Sequence, residues 1–359
     1  MLWLDRFASE PLPTARVVEL DIDPVEAPAT AGAAVRDSTL AGMRRPHDSV
    51  AAELALALSD STLPGTRPSE GAVAVELALA LEADEAEAAE PVWDLPNLDH
   101  PRVEQFVDIF TGRSRKKFAG MLERLGRYQP MISAKLAERG MPQDLIYLAM
   151  IESGFEPKAY SHAHASGLWQ FIAATGRRYG LDINRAVDER NDPERATEAA
   201  LDYLAELHER FGSWYLAAAA YNTGENRVGR IMRQVTGRER GNEASYYRIR
   251  SRLPRETREY VPLMVAAARI AKEPHRYGFA HIRPESPLAY DSVVVGPATS
   301  LASVARKAGT TVNELKRLNP HFKLSRTRND MHSAVRIPVA TRLALEGEAG
   351  QSLTGRPGN

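Results

Sequence analysis

The stretch Asp144-Leu-Ile-Tyr-Leu-Ala-Met-Ile-Glu-Ser-Gly154 constrains the fold more than any other part of the chain. Pro142 and Asp144 read as the first turn of a helix, and Gly154 reads as its C-terminal stop. Leu145, Leu148 and Glu152 fall on one helical face, at i, i+3 and i+7. A carboxylate therefore occupies a position where the pattern calls for an apolar side chain, flanked by Met150, Ile151 and Phe155. An apolar surround and the negative end of the helix dipole both disfavour a charged carboxylate. Such a position suits a group that holds a proton and delivers it, a general acid. It also suits a structural glutamate met by an arginine or a buried water.

The remaining periodicity is helical over most of the chain. Trp93, Leu95, Leu98 and Val103 open a helical pattern that runs through Val107 and Phe110 to Gly112. Helices are expected at about 114–124 and 128–139, before the central one. After a loop, Gly167-Leu-Trp-Gln-Phe-Ile172 is expected to begin a short helix that stops near Gly180. Asp192-Pro193 is an N-cap and first-turn pair opening a helix that stops at Gly212. Trp214 to Tyr221 reads as a tight alanine-rich helix ending at Asn222-Thr223-Gly224, and a further helix spans about 256–271. Residues 291–339 differ: Val293-Val-Val295 and Ala334-Val-Arg-Ile337 read as strands around helices at about 300–308 and 311–318. The expected class is mainly α, with a small β-α-α-β module at the C-terminal end.

Charge divides the chain. Residues 1–100 hold 19 acids against 6 arginines and no lysine, whereas the remainder holds 40 Lys and Arg against 28 acids. The basic body suits an anionic polymer: nucleic acid, an acidic glycan or a membrane surface. The run Tyr246-Tyr247-Arg248-Ile249-Arg250 does not choose between them and reads as a solvated face. Residues 1–91 read as an acidic, Ala/Pro-rich disordered segment, in which Glu53-Leu-Ala-Leu-Ala-Leu58 recurs as Glu76-Leu-Ala-Leu-Ala-Leu81. The absence of cysteine excludes disulfides, thiolate metal sites, a cysteine nucleophile and lipid attachment to an N-terminal cysteine. His162 and His164 lie at i, i+2 in a loop with no third ligand nearby, so no metal or other cofactor is expected. No stretch reaches the ~20 apolar residues of a membrane span. The opening Met-Leu-Trp-Leu-Asp-Arg lacks the features of a signal peptide, so the text taken literally reads as soluble and cytoplasmic.

Three segments join Glu152-Ser153 in a fixed order: Gly167-Leu168-Trp169-Gln170, Ala220-Tyr221-Asn222-Thr223-Gly224 and Glu256-Thr257-Arg258-Glu259-Tyr260-Val261. Together they resemble the catalytic domain of the lytic murein transglycosylases, and the upstream Trp93 to Val103 resembles the membrane-bound D type of that family. The resemblance covers about residues 92–340. It implies a goose-type lysozyme-like helical fold over 92–280, with its catalytic core at about 140–275. It further implies peptidoglycan glycan strands as the partner, rather than nucleic acid, and a place in the cell envelope or periplasm. The implied reaction needs one acid. Glu152 protonates the glycosidic oxygen between N-acetylmuramic acid and N-acetylglucosamine, the muramoyl 6-hydroxyl traps the oxocarbenium-like state, and Glu152 takes up the hydroxyl proton as base. Ordinary glycoside hydrolysis needs two carboxylates, and the motifs offer no evident second one. A muramidase with an unidentified base, or a non-catalytic wall-binding protein, are the alternative readings.

Residue by residue, the resemblance implies that Ser153 orients the acid or the substrate, where the plain alternative is a helix cap. It implies that Gln170 contacts the sugar amide, against a hydrogen bond to loop backbone. Tyr221 and Asn222 match an Ala-Tyr-Asn element, with Asn222 implied to bind the N-acetyl group or, plainly, to cap a helix end. Tyr260 is implied to set its hydroxyl near the acid. Trp169 reads as a core residue. Residues 290–340 resemble a LysM peptidoglycan-binding module through Leu301, Val304, Ala305, Leu315, Leu318, Asn319, Pro320 and Ile337-Pro338. The usual Gly-Asp-Thr of that module is here Gly296-Pro297-Ala298-Thr299, so a degenerate copy docked on the catalytic domain is as well supported as a glycan binder. Residues 341–359 read as a frayed tail.

Overall fold

The computed structural model describes residues 91–96 and 100–339; the acidic segment, its internal repeat, Leu98 and the C-terminal tail lie outside them. Eleven α-helices and one two-stranded sheet make up the described residues. Helix α1 (Pro101–Thr111) starts on His100, whose Nδ1 accepts from the Arg102 N–H at 3.0 Å. Trp93 and Leu95 precede it as non-helical chain, so the helical pattern expected from Trp93 begins eight residues late. The reason is a pair of reciprocal carboxylate contacts that hold this segment extended. Asp144 Oδ2 accepts from the Asp94 and Leu95 N–H groups, each at 3.0 Å, and Asp94 Oδ2 accepts from the Gln143 N–H at 2.7 Å. Lys272 Nζ lies 2.6 Å from the other Asp144 oxygen.

The two helices expected over 114–139 are one, α2 (Arg115–Glu138), with Pro130 inside it. Gly126 marks a close approach rather than a break. A Cβ there would stand 2.5 Å from Pro284 Cβ and 2.7 Å from the Glu285 carbonyl oxygen. Buried Leu122, Leu125, Tyr128 and Ile132 carry one apolar stripe straight across it.

A 3-10 turn at Gln143–Leu145 leads into α3 (Ile146–Ser153), which ends at Gly154 in the left-handed conformation. All eight residues of α3 are buried, so it is a fully enclosed helix and not the one-faced element its spacing suggests. Helix α4 (Ala173–Arg178) is followed by α5 (Pro193–Phe211), capped by Asp192 and stopped by left-handed Gly212, and by α6 (Trp214–Thr223). Two helices without a counterpart in the sequence reading follow: α7 (Glu225–Thr236) and α8 (Glu243–Ile249). Helix α9 (Arg255–Lys272) closes the bundle and packs on α1, α3 and α6. Tyr246 and Ile249 of α8 are fully buried, and the Tyr246 hydroxyl donates to the Arg258 carbonyl at 2.9 Å. The basic-aromatic run is therefore half core, because the helical turn points two of its residues inward.

The small module has the expected order. Strand β1 (Asp291–Val295) pairs antiparallel with β2 (Ser333–Ile337), Val293 opposite Val335. Between them lie α10 (Leu301–Lys307) and α11 (Val312–Leu318), capped by the Ser300 and Thr311 side chains. Its core of Leu301, Val304, Leu315, Phe322, Val335 and Ile337 also takes in Val187, from the helical body.

Candidate active site

Glu152 sits in the last turn of α3, 4% exposed, between Ile151 and the fully buried Phe155. Its Oε1 accepts a 2.6 Å hydrogen bond from the Tyr260 hydroxyl. Tyr260 is brought there by α9, which packs along α3. Burial, then the nearby Glu152 carboxylate, push the Tyr260 phenol well above its ordinary range, so it stays protonated and acts as a fixed donor.

Helix α6 brings the second group. Its amino end is held by Glu243 of α8, whose carboxylate accepts from the Trp214 N–H at 2.9 Å and the Tyr215 N–H at 2.8 Å. Two turns on, half-buried Tyr221 donates its hydroxyl to the Trp169 carbonyl at 2.8 Å. Burial and then the Glu152 charge push this phenol well up too. The Asn222 side-chain amide is locked from both ends: Nδ2 donates to Glu256 Oε1 at 2.9 Å and Oδ1 accepts from Thr257 Oγ1 at 2.8 Å. Glu256 and Tyr260 stand at i, i+4 on α9, so one helix edge touches both Asn222 and Glu152. Asn222 is thus a fixed side chain within the helix and not a cap.

The Gly167 segment is a turn; helix begins only at Ala173. Gly167 has φ 86°, and a Cβ on it would fall 1.7 Å from the Arg190 carbonyl oxygen, so no other residue fits. Gln170 is left-handed as well, at φ 48°. Its Nε2 donates to the carbonyls of Gly167 at 2.9 Å and Ala159 at 3.1 Å, while its buried Oε1 has no partner among the described residues. Ser153 Oγ shares its hydrogen between the carbonyls of Leu168 at 2.8 Å and Ala149 at 3.2 Å, tying the end of α3 to this turn. Trp169 is enclosed, with its indole N–H on Thr197 Oγ1 at 2.9 Å.

Of the six residues the sequence singles out, Glu152 and Tyr260 are in direct contact, and Tyr221 and Asn222 join them through α6 and α9. Ser153 and Gln170 build the turn beside them. Glu256 and Thr257 stand in the quoted motif with Tyr260, yet the sequence analysis gives neither a role in the site. The chain positions that would have found them are i−4 and i−3 to Tyr260, the neighbours along one helical face. His164, the loop histidine, has Nδ1 2.8 Å from the Tyr160 hydroxyl.

Residues 129–243 match the family model described as the transglycosylase SLT domain, and residues 289–346 match the LysM-like domain of lytic transglycosylase MltD. This chain carries a transglycosylase SLT domain. Over 198 residues it is 38% identical to the membrane-bound lytic murein transglycosylase D of Escherichia coli K12, which is 55% of this chain and 43% of that protein. It is 37% identical over 105 residues to the peptidoglycan transglycosylase gp16 of phage T7, 28% of this chain and 8% of that one. Among solved structures it is similar to the 70 kDa soluble lytic transglycosylase of E. coli, at 24% identity and a TM-score of 0.35, covering 41% of this chain and 24% of that chain. The chain thus spans less than half the length of these relatives. The SLT domain match takes in Glu152, Ser153, Gln170, Tyr221 and Asn222; Tyr260 lies beyond its end.

Proposed function

We propose that the chain is a peptidoglycan lytic transglycosylase that cleaves the β-1,4 bond from N-acetylmuramic acid to N-acetylglucosamine and leaves 1,6-anhydro ends. The observation that carries the reading is the enclosed Glu152 carboxyl held by the Tyr260 hydroxyl. Burial excludes water from the acid, and the Tyr260 hydroxyl fixes the carboxyl for proton transfer to the glycosidic oxygen. Proton transfer from Glu152 breaks the C1–O4 bond and releases the N-acetylglucosamine hydroxyl. The muramoyl 6-hydroxyl then attacks C1 of its own sugar and returns its proton to Glu152, so no water enters the product. In this reading Asn222 orients the substrate N-acetyl group, and its two hydrogen bonds to Glu256 and Thr257 support a rigid amide there. The names of the E. coli and T7 relatives support the substrate class.

The cell envelope is the compartment this substrate requires, and the E. coli relative is described as membrane-bound. No helix among the described residues is long and apolar enough to cross a membrane. A hydrolytic reading needs a second carboxylate beside the bond. Glu256 is the acid the structure adds near the site, and it is engaged with Asn222. Digestion of purified sacculi followed by mass spectrometry separates the two chemistries: anhydro-muropeptides are expected, and reducing ends alone would replace this reading with a muramidase. Glu152→Gln is expected to lower turnover by about a thousandfold, within the usual range for loss of a general acid, and an unchanged rate would refute its role.

A further inference from the structure

Arg227, Arg230 and Gln234 share one face of α7 at i, i+3 and i+7. With Ile231 and the facing Arg252, Leu253 and Pro254 they line an open cleft of about 430 Å³. No acidic side chain lines it, and none of its three arginines forms an ion pair with a carboxylate among the described residues. Other arginines of the helical body do have carboxylate partners. Arg233, on another face of α7, is joined to Glu239, and Arg178 is joined to Glu206 and Glu225. Like charges held together without a counter-charge repel one another, and nothing in the packing of exposed Arg230 and Arg252 requires the arrangement.

Both walls of the cleft lead along the chain into the candidate active site. Helix α7 begins directly after Asn222-Thr223-Gly224, and Arg227 Nη1 donates to Thr223 Oγ1 at 3.1 Å. Pro254 leads within three residues to Glu256 and Thr257, the pair that holds Asn222. A strand whose N-acetyl group sits at Asn222 therefore has the cationic cleft beside it. Peptidoglycan carries its negative charge on the peptides that branch from the lactyl ethers of its muramoyl sugars, as free carboxylates. Guanidinium groups match carboxylates as two-pronged donors. We propose that the Arg227–Arg230–Arg252 cleft binds a carboxylate of the peptide branch, so that the site selects peptide-bearing strands over bare glycan. This rests on the transglycosylase reading above and adds a substrate preference to it.

The test compares the full chain with its Arg230→Gln/Arg252→Gln variant on two substrates: glycan strands bearing their peptides, and the same strands stripped by an amidase. The ratio of kcat/KM for peptide-bearing over stripped strands is expected to fall about tenfold in the variant, equivalent to ~1.4 kcal/mol, with the change in KM. An unchanged ratio, or an equal loss on both substrates, overturns the proposal. So does a variant that loses sedimentation with phosphatidylglycerol vesicles while keeping the ratio, which would make the cleft a lipid-headgroup site. Calorimetric binding of a soluble disaccharide-tripeptide in the Glu152→Gln background gives a readout independent of turnover. There the same two substitutions are expected to weaken binding about tenfold, and equal affinity overturns the peptide cleft even if no cleavage is seen. Failure of the wild-type protein to release anhydro products, with this binding difference intact, would instead count against the transglycosylase reading.

Discussion

At the scale of single residues, the site depends on how one enclosed carboxyl is held. The Tyr260 hydroxyl stays protonated across the working pH range, because burial and the Glu152 charge both oppose its ionisation. Its removal takes away a fixed donor without opening the core, since the ring is what fills the space. Tyr260→Phe is expected to lower kcat by about a hundredfold, the lower end for losing one preorganised donor, while the thermal midpoint moves little. A rate within twofold of wild type would show that the hydrogen bond only packs the core. Asn222 is held differently: its two partners come from adjacent residues of α9, so its geometry depends on a neighbouring helix and not on its own.

At the scale of elements, the turn at 167–171 is the most tightly specified piece. It is braced by the segment before α5: Arg190 Nη1 donates to the carbonyls of His164 at 2.8 Å and Phe171 at 3.0 Å, and Ser166 Oγ donates to Asn191 Oδ1 at 2.7 Å. Arg190 is itself fixed by a two-pronged, buried pair with Asp188, at 2.7 and 2.9 Å. With the Arg190 backbone so held, it cannot retreat from a new side chain at Gly167. Gly167→Ala is therefore expected to cost about 3 kcal/mol of stability, at the high end for a single methyl. It should also reduce activity through displacement of Gln170 and the Leu168 carbonyl that takes the Ser153 hydrogen. Urea denaturation and a sacculus-clearing assay measure the two effects; a loss under 1 kcal/mol would mean that the turn yields easily.

At the scale of the whole described body, the LysM-like module is built into the SLT domain. Arg336 of β2 forks onto the two Asp192 oxygens, each contact 2.8 Å, and His321 Nδ1 lies 3.0 Å from the same carboxylate. The Asp188 N–H donates to the His321 carbonyl at 2.9 Å, and the Lys323 N–H to the Ala186 carbonyl at 2.9 Å. Burial alone would raise the Asp192 carboxyl, but His321 and Arg336 outweigh it and hold it well below the usual carboxylate range. A depressed folded-state value contributes stability above the unfolded value near 3.9, which is lost as pH falls toward the folded one. Asp192→Asn keeps the helix cap but leaves Arg336 without its main counter-charge. It is expected to cost about 3 kcal/mol at pH 7 and to flatten the loss of stability below about pH 4. Urea midpoints at pH 7 and pH 3 check both, and parallel pH dependences of the two proteins would refute the assignment.

Sequence alone determined the helical class, the β-α-α-β order, the stops at Gly154 and Gly212, and the four motifs, because caps, periodicity and motif order are local properties. It misplaced what depends on distant neighbours. The 24-residue α2 reads as two helices because Gly126 looks like punctuation until the 284–285 segment presses on it. The Gly167 turn reads as helix because its left-handed Gln170 is imposed by Arg190, which lies 20 residues downstream of Gln170 in the chain. Helices α7 and α8 escaped notice because their apolar positions are sparse among arginines and show only once packed on α6. The contact between Glu152 and Tyr260 spans 108 residues, and the pairing of Arg336 with Asp192 spans 144. A one-dimensional pattern can name the partners of such pairs, but only the crossing of helices brings a phenol to a carboxyl or a strand to a helix cap.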